Sequence, residues 1–137
     1  MTDPMLPDEF DNLVMKHYNF LADDFGFSIQ KIFNYKYVAE TSKMRILIYL
    51  EHVVNLMVEL EPIGEGASQL LRKNILPESV SVILISRHYD PSLKYKIEML
   101  DEEKFISNIS VELEKRANLL TKYCTKILSG DLSDWPE

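Results

Sequence analysis

The last third of the chain constrains its fold more than any other stretch, because Asp101 to Gly130 reads as one long amphipathic helix. Apolar residues recur at Ile106, Ile109, Leu113, Ala117, Leu120, Cys124 and Ile127. That helical spacing lines them along a single stripe and leaves Glu112, Glu114, Lys115, Lys122 and Lys126 mostly off it. Acids at Asp101, Glu102 and Glu103 and bases at Lys122 and Lys126 suit the helix dipole, and Gly130 suits a left-handed end. So long a stripe needs a surface to bury against. The upstream segments must supply it.

A second helix opens at Pro7 and Asp8, after a loose terminus from Met1 to Leu6. Proline fits the first helical turn, where its missing N–H costs nothing, and acids are favoured at that end. Phe10, Leu13, Val14, His17, Phe20 and Leu21 form its apolar face, and Gly26 is its stop. From Phe27 the period falls to two. Phe27, Ile29, Lys31, Phe33, Tyr35, Tyr37 and Ala39 alternate with polar neighbours, which predicts one strand with a single apolar face. Thr41 and Ser42 supply a turn, and Met44, Ile46, Ile48 and Leu50 share one face of the next strand. Glu51 and His52 mark another turn before Val54, Leu56, Val58 and Leu60. Short connections favour antiparallel neighbours, so these segments predict a three-stranded meander ended by Pro62.

The remainder is less regular. Gly64-Glu65-Gly66 reads as a loop, followed by one or two helical turns through Leu70, Leu71 and Arg72. Ser79 to Tyr89 supports two structures equally. Val80, Val82, Ile83 and Ile85 are strand formers, whereas Pro77 with Val80, Ile83, Leu84 and Arg87 at helical spacing supports a short helix. Asp90-Pro91 closes the segment either way, and Tyr95 and Ile97 suggest a brief extended piece. The predicted class is α+β: an antiparallel meander sheet packed on one face by the N-terminal helix and the long C-terminal helix. All 137 residues form one domain, with 131–137 as a C-terminal tail.

Charge and cysteine usage narrow the function. The net charge is −7, and residues 1–26 hold six acids against Lys16 alone. Such a balance disfavours nucleic acid, which demands clustered Lys and Arg. It accords with a basic protein partner or with simple solubility. The single cysteine excludes an internal disulfide framework and fits a reducing compartment. No basic-then-apolar leader opens the chain, and its apolar runs are too short to span a bilayer. These features predict a cytoplasmic protein without membrane association, as a monomer or homodimer; the long helix alone could build a purely structural dimer.

Catalytic constellations are thin. His17, His52 and His88 form no metal-binding pattern. His17 lies on an apolar stripe and His52 in a turn, so His88, beside Arg87, Tyr89 and Asp90, is the most site-like. A small enzyme or ligand-binding domain would use that segment, with His17 as a further candidate member. Cys124 occupies the buried stripe, where a thiol behaves as a small hydrophobe. Gly64-Glu65-Gly66 lacks the rest of a phosphate loop, and Glu65 would repel phosphate. Asp23-Asp24 and the acids at 101–103 read as solvated charge rather than metal ligands. No metal and no cofactor is predicted.

Recognition has more support than catalysis. Tyrosine is large, stiff and amphipathic, which favours it at interfaces. The candidate partner-binding residues are therefore Tyr35, Tyr37, Tyr49, Arg87, His88, Tyr89, Tyr95 and Trp135. The alternative for the tyrosines is that they edge the core with solvated hydroxyls; for Trp135, that it folds back onto the core.

Two resemblances sharpen the class. The helix ending at Phe25-Gly26-Phe27, the aromatic-rich meander and the last helix running into Ile127-Leu128-Ser129-Gly130-Asp131 resemble small bacterial immunity-type proteins. That likeness implies a non-enzymatic α+β domain that neutralises a cognate toxin. The opening helix, three strands, Leu70-Leu71-Arg72-Lys73-Asn74 and terminal amphipathic helix are also similar to class I type III secretion chaperones, which implies binding of a secreted effector. The tail from Gly130 to Trp135, and the want of two clear strands after Asn74, depart from that second family. Both imply a protein partner.

Overall fold

The computed structural model describes residues 5–51, 55–93 and 105–136, with the backbone alone at 105–108. Tyr95, His52, the acids at 101–103 and the side chain of Ile106 lie outside the described residues.

Proline at the first helical position starts α1 (Pro7–Tyr18), and a turn at Asn19 separates it from α2 (Phe20–Phe25). The single opening helix is therefore two. The face that α1 buries is Phe10, Val14 and Tyr18, a strict four-residue step. His17 is only half-buried, and Tyr18 takes the interior place because its hydroxyl donates to the Leu113 carbonyl at 2.8 Å. A buried phenol without such an acceptor would cost stability. Gly26 ends α2 at φ +73°, where its N–H donates to the Ala22 carbonyl and the Phe27 N–H to the Leu21 carbonyl, and any side chain there would be strained. Met5, assigned to a loose terminus, is fully buried, and its carbonyl accepts the Tyr35 hydroxyl at 2.5 Å.

The predicted first strand is a hairpin: β1 (Ser28–Phe33) and β2 (Lys36–Glu40) flank a turn at Asn34-Tyr35, with Tyr35 at φ +67°. Then come β3 (Met44–Glu51) and β4 (Asn55–Pro62). Thr41 shapes the turn before β3, its hydroxyl accepting the N–H groups of Lys43 and Met44. The sheet is antiparallel in the order β1-β2-β3-β4-β5, with β5 (Val80–Ser81) a two-residue edge.

Gly64-Glu65-Gly66 is not a loop but the first turn of α3 (Gly64–Arg72). Gly66 sits so close to the Lys43 carbonyl that a Cβ would collide with backbone, which explains glycine inside a helix. The two structures predicted for 79–89 both occur. Ser81 ends β5 and caps α4 (Val82–Tyr89), its hydroxyl accepting the Ile83 N–H at 3.2 Å. The helix buries Val82, Ile83, Ile85 and Ser86, so Leu84, placed on the buried face by spacing, is exposed instead.

The long helix is α5 (Phe105–Tyr123), followed after Cys124 by α6 (Thr125–Leu128). Its stripe packs as predicted: Ile109, Leu113, Ala117, Leu120, Cys124 and Ile127 are buried. Helix α5 touches α1, α4 and β4, and with the strands' inner face it encloses one apolar core. Glu112 departs from the pattern. It is buried beside Arg116, 3.2 Å away, and Arg116 also donates to the Leu56 carbonyl at the start of β4. The pair ties α5 to the sheet; removing Arg116 would take away the guanidinium closest to the Glu112 carboxylate, whose other oxygen has Lys115 at 4.0 Å. Among the described residues, no helix is long and apolar enough to cross a membrane.

Candidate functional site

Alternation gives the sheet two unlike faces. Tyr37, Ala39, Met44, Ile46, Ile48, Leu50, Leu56, Val58 and Leu60 point inward and are at most 8% exposed. Their neighbours Lys36, Val38, Glu40, Arg45, Leu47, Tyr49, Met57, Glu59 and Glu61 point outward and keep partial exposure.

Cross-strand register arranges this outer face in rows. Glu40, Arg45 and Glu61 are direct partners, and Arg45 bonds both carboxylates at 2.8 Å. All three side chains remain substantially exposed, so the ladder fixes orientation more than it stabilises. Next come Val38, Leu47 and Glu59, then Lys36, Tyr49 and Met57. The Tyr49 hydroxyl donates to Glu59 at 2.8 Å; burial first, then that bond and charge, push its phenol up to about 12. The Lys36 ammonium lies 5.5 Å from the Phe33 ring and 5.4 Å from the Tyr49 ring. Phe33 and Ile32 are 60% and 48% exposed at the end of edge strand β1. The result is an apolar strip of Phe33, Val38, Leu47, Tyr49 and Met57 bordered by carboxylates.

The candidate tyrosines do not form one site. Tyr35 and Tyr37 brace the first helix and its approach. The Tyr37 hydroxyl donates to Asp11, which also receives Lys31 at 2.8 Å. Burial raises the Asp11 carboxyl, but those bonds and the Lys31 charge outweigh it and hold the group below its ordinary value. Burial and the Asp11 contact push the Tyr37 phenol up to about 12. Only Tyr49 of these three faces outward on the sheet.

A second constellation forms where α4 meets the tail. His88, Tyr89, Asp134 and Trp135 line an open groove of about 420 Å³. Tyr89 donates to the Asp134 carbonyl at 2.6 Å, and the rings of His88 and Tyr89 meet edge to face at 5.3 Å. Lys126 pairs with Asp134 at 2.7 Å and with Asp131 at 3.8 Å. Burial chiefly, then Cys124, Asp134 and Asp131, pushes the Tyr89 phenol up to about 12. Trp135 folds back onto the core, 5% exposed. Arg87 and His17 do not line this groove, and Asp90 is engaged by Ser92 and Tyr123. Burial pushes the Cys124 thiol up to about 12, the wrong direction for a nucleophile. Among the described residues, no three His, Cys, Asp or Glu side chains are grouped to hold a metal ion.

Asp134 and the outward residues Phe33, Lys36, Val38, Leu47 and Met57 were not among the sequence candidates. A signal existed for the sheet. Val38, Leu47, Tyr49 and Met57 are apolar at positions where one-sided alternation demands polar residues. No protein-family model matches the chain, and neither a curated protein nor a solved structure matches it.

Proposed function

We propose that this chain is a non-catalytic, cytoplasmic bacterial protein that docks a basic protein partner on the outer face of its sheet. The single supporting observation is the outward apolar strip through Leu47, Tyr49 and Met57, framed by Glu40, Glu51, Glu59 and Glu61. Among the described residues, the basic side chains on that face are Lys36 and Arg45, so its described part carries more acid than base. An apolar centre with tyrosine and methionine inside a polar rim is the anatomy of protein interfaces. Neutralisation of a cognate toxin, as by immunity-type proteins, is the specific form we favour; chaperoning of a secreted effector is the alternative. The buried, lone Cys124 accords with a reducing compartment.

Size bears on how a partner would sit. Four strands spaced about 4.8 Å, with the longer ones rising about 3.4 Å per residue over eight residues, offer about 500 Å² in plan. A standard interface takes about 800 Å² per partner, so docking extends over a rim such as Ile32 and Phe33.

The test is capture of the partner from source cells, its identification, and titration of the purified pair. Tyr49→Ala is expected to weaken binding by about 2 kcal/mol, roughly thirtyfold. Arg87→Ala should leave it unchanged. A tight partner indifferent to both Tyr49→Ala and Leu47→Asp would sink the proposal.

A further inference from the structure

Two rows of the outer face set the shape of what can lie on them. Val38 and Leu47 are direct cross-strand partners, as are Tyr49 and Met57 in the next row, and all four are partly exposed. Beyond these rows the face turns charged, with Glu40, Arg45 and Glu61 at one end and Glu51 at the other. The apolar centre is therefore short along the strands, with about 7 Å between its rows. Across the strands it runs obliquely. From Val38 on β2 to Met57 on β4 is two strand spacings and one row, about 12 Å. Two helical turns rise by nearly the same length, about 11 Å. Apolar residues at i, i+4 and i+7 of a helix thus fall over Val38, the Leu47–Tyr49 pair and Met57.

A lone extended or irregular segment is disfavoured by its own backbone. Strand β2 is paired with β1 and β3, and β3 with β2 and β4, so the face presents side chains only. A single strand pressed onto it would lose water from N–H and C=O groups that nothing beneath replaces. A helix arrives with those groups already paired. A partner sheet does too, but packed sheets run nearly aligned with each other's strands. Such a cover reaches both charged ends and takes the Arg45 ladder and Glu51 out of water. A helix about 10 Å wide stays on the two apolar rows and leaves those carboxylates at its flanks. Arg45 is one base between two acids, and Glu59 bonds the neutral Tyr49 hydroxyl, so the flanks attract cations. On the docking reading above, which this deepens and requires, we propose that the partner lays an amphipathic helix obliquely across the strip. Its apolar residues face inward, and lysine or arginine lines both flanks.

Two peptides of one composition, equal parts leucine and lysine and about four helical turns long, separate the shapes. One carries leucine at helical spacing; the other alternates leucine with lysine, the period of a strand. Each is titrated into the full, isotope-labelled chain and followed by amide chemical shifts. The helical-period peptide is expected to bind about tenfold more tightly or better, since one buried backbone group left unpaired suffices for that ratio. Its saturable shifts should centre on Val38, Leu47, Tyr49 and Met57, and circular dichroism should show helix induced on binding. Leu47→Asp adds negative charge yet should weaken this peptide about tenfold, because the apolar strip is broken. Tyr49→Ala reads the same contact if that variant fails to fold, and Arg87→Ala should change nothing. No binding, equal affinities, tighter binding of the alternating peptide, or indifference to both strip substitutions would each overturn the helix. The docking face falls on a different result, a captured partner indifferent to those two substitutions. A partner sensitive to them, with the alternating peptide bound as well as the helical one, keeps the face and removes the helix.

Discussion

Leu47 and Ile48 are adjacent in β3, both aliphatic, and face opposite ways. Ile48 is fully buried against the helices, whereas Leu47 lies between Val38 and Glu59 on the outer face and stays partly exposed. One face of the sheet holds the fold together; the other carries similar side chains that the described helices do not require. Hydrophobicity alone does not mark a core. Which neighbour a residue meets does.

The sharpest way to break the comparison is at the bond that fastens helix to sheet. Arg116→Met leaves Glu112 buried without its guanidinium and frees the Leu56 carbonyl, for an expected loss of about 3–5 kcal/mol by denaturant unfolding. A loss under about 1 kcal/mol would show that the pair is solvated. Next comes the adjacent pair itself. Ile48→Ala should cost about 2–5 kcal/mol through lost burial and the cavity left behind. Leu47→Ala should cost about 1 kcal/mol or less, as a partly exposed position does. Equal costs would mean that the outer face is packed after all.

How far the sequence reaches depends on what sets each feature. The C-terminal stripe was legible because six of its seven apolar positions are buried at helical spacing, and burial is what periodicity records. The β1–β2 hairpin was not. Ile29 pairs with Ala39 and Lys31 with Tyr37, so odd-numbered residues share one side of both strands up to the register shift between Lys31 and Phe33. In the sequence, the odd-numbered apolar residues Phe33, Tyr35 and Tyr37 carry the alternation past both that shift and the turn. Asn34-Tyr35 carries no glycine to announce it, and Tyr35 takes a positive φ for which tyrosine has no preference. Glu112 reads as solvent-facing until Arg116 and the Leu56 carbonyl are placed beside it, a pairing of residues 60 apart in the case of Leu56 and Arg116. Of the candidate site residues, His88, Tyr89 and Trp135 converge only because the tail folds back, which no local pattern encodes.

A smaller effect sharpens the inner face near α1. The Asp11 carboxyl lies below 3.8 in the folded chain, so its bonds to Lys31 and Tyr37 contribute fully above that value. The contribution disappears as pH falls through the lower folded value. Asp11→Asn should accordingly be less stable than the parent at neutral pH and nearly equal to it in strong acid. Urea midpoints across that range would check this; a constant gap would contradict it.

The separation of the two faces is tested most directly by methionine oxidation under native conditions, read by mass spectrometry. Met57 faces outward opposite Tyr49, Met15 is 44% exposed on α1, and Met44 is fully buried on the inner face. Oxidation follows exposure. Met15 and Met57 should therefore convert while Met44 persists, and a saturating partner should protect Met57 but not Met15. Met57 as resistant as Met44 in the free protein, or unprotected in the complex, would contradict an outer face held open for docking.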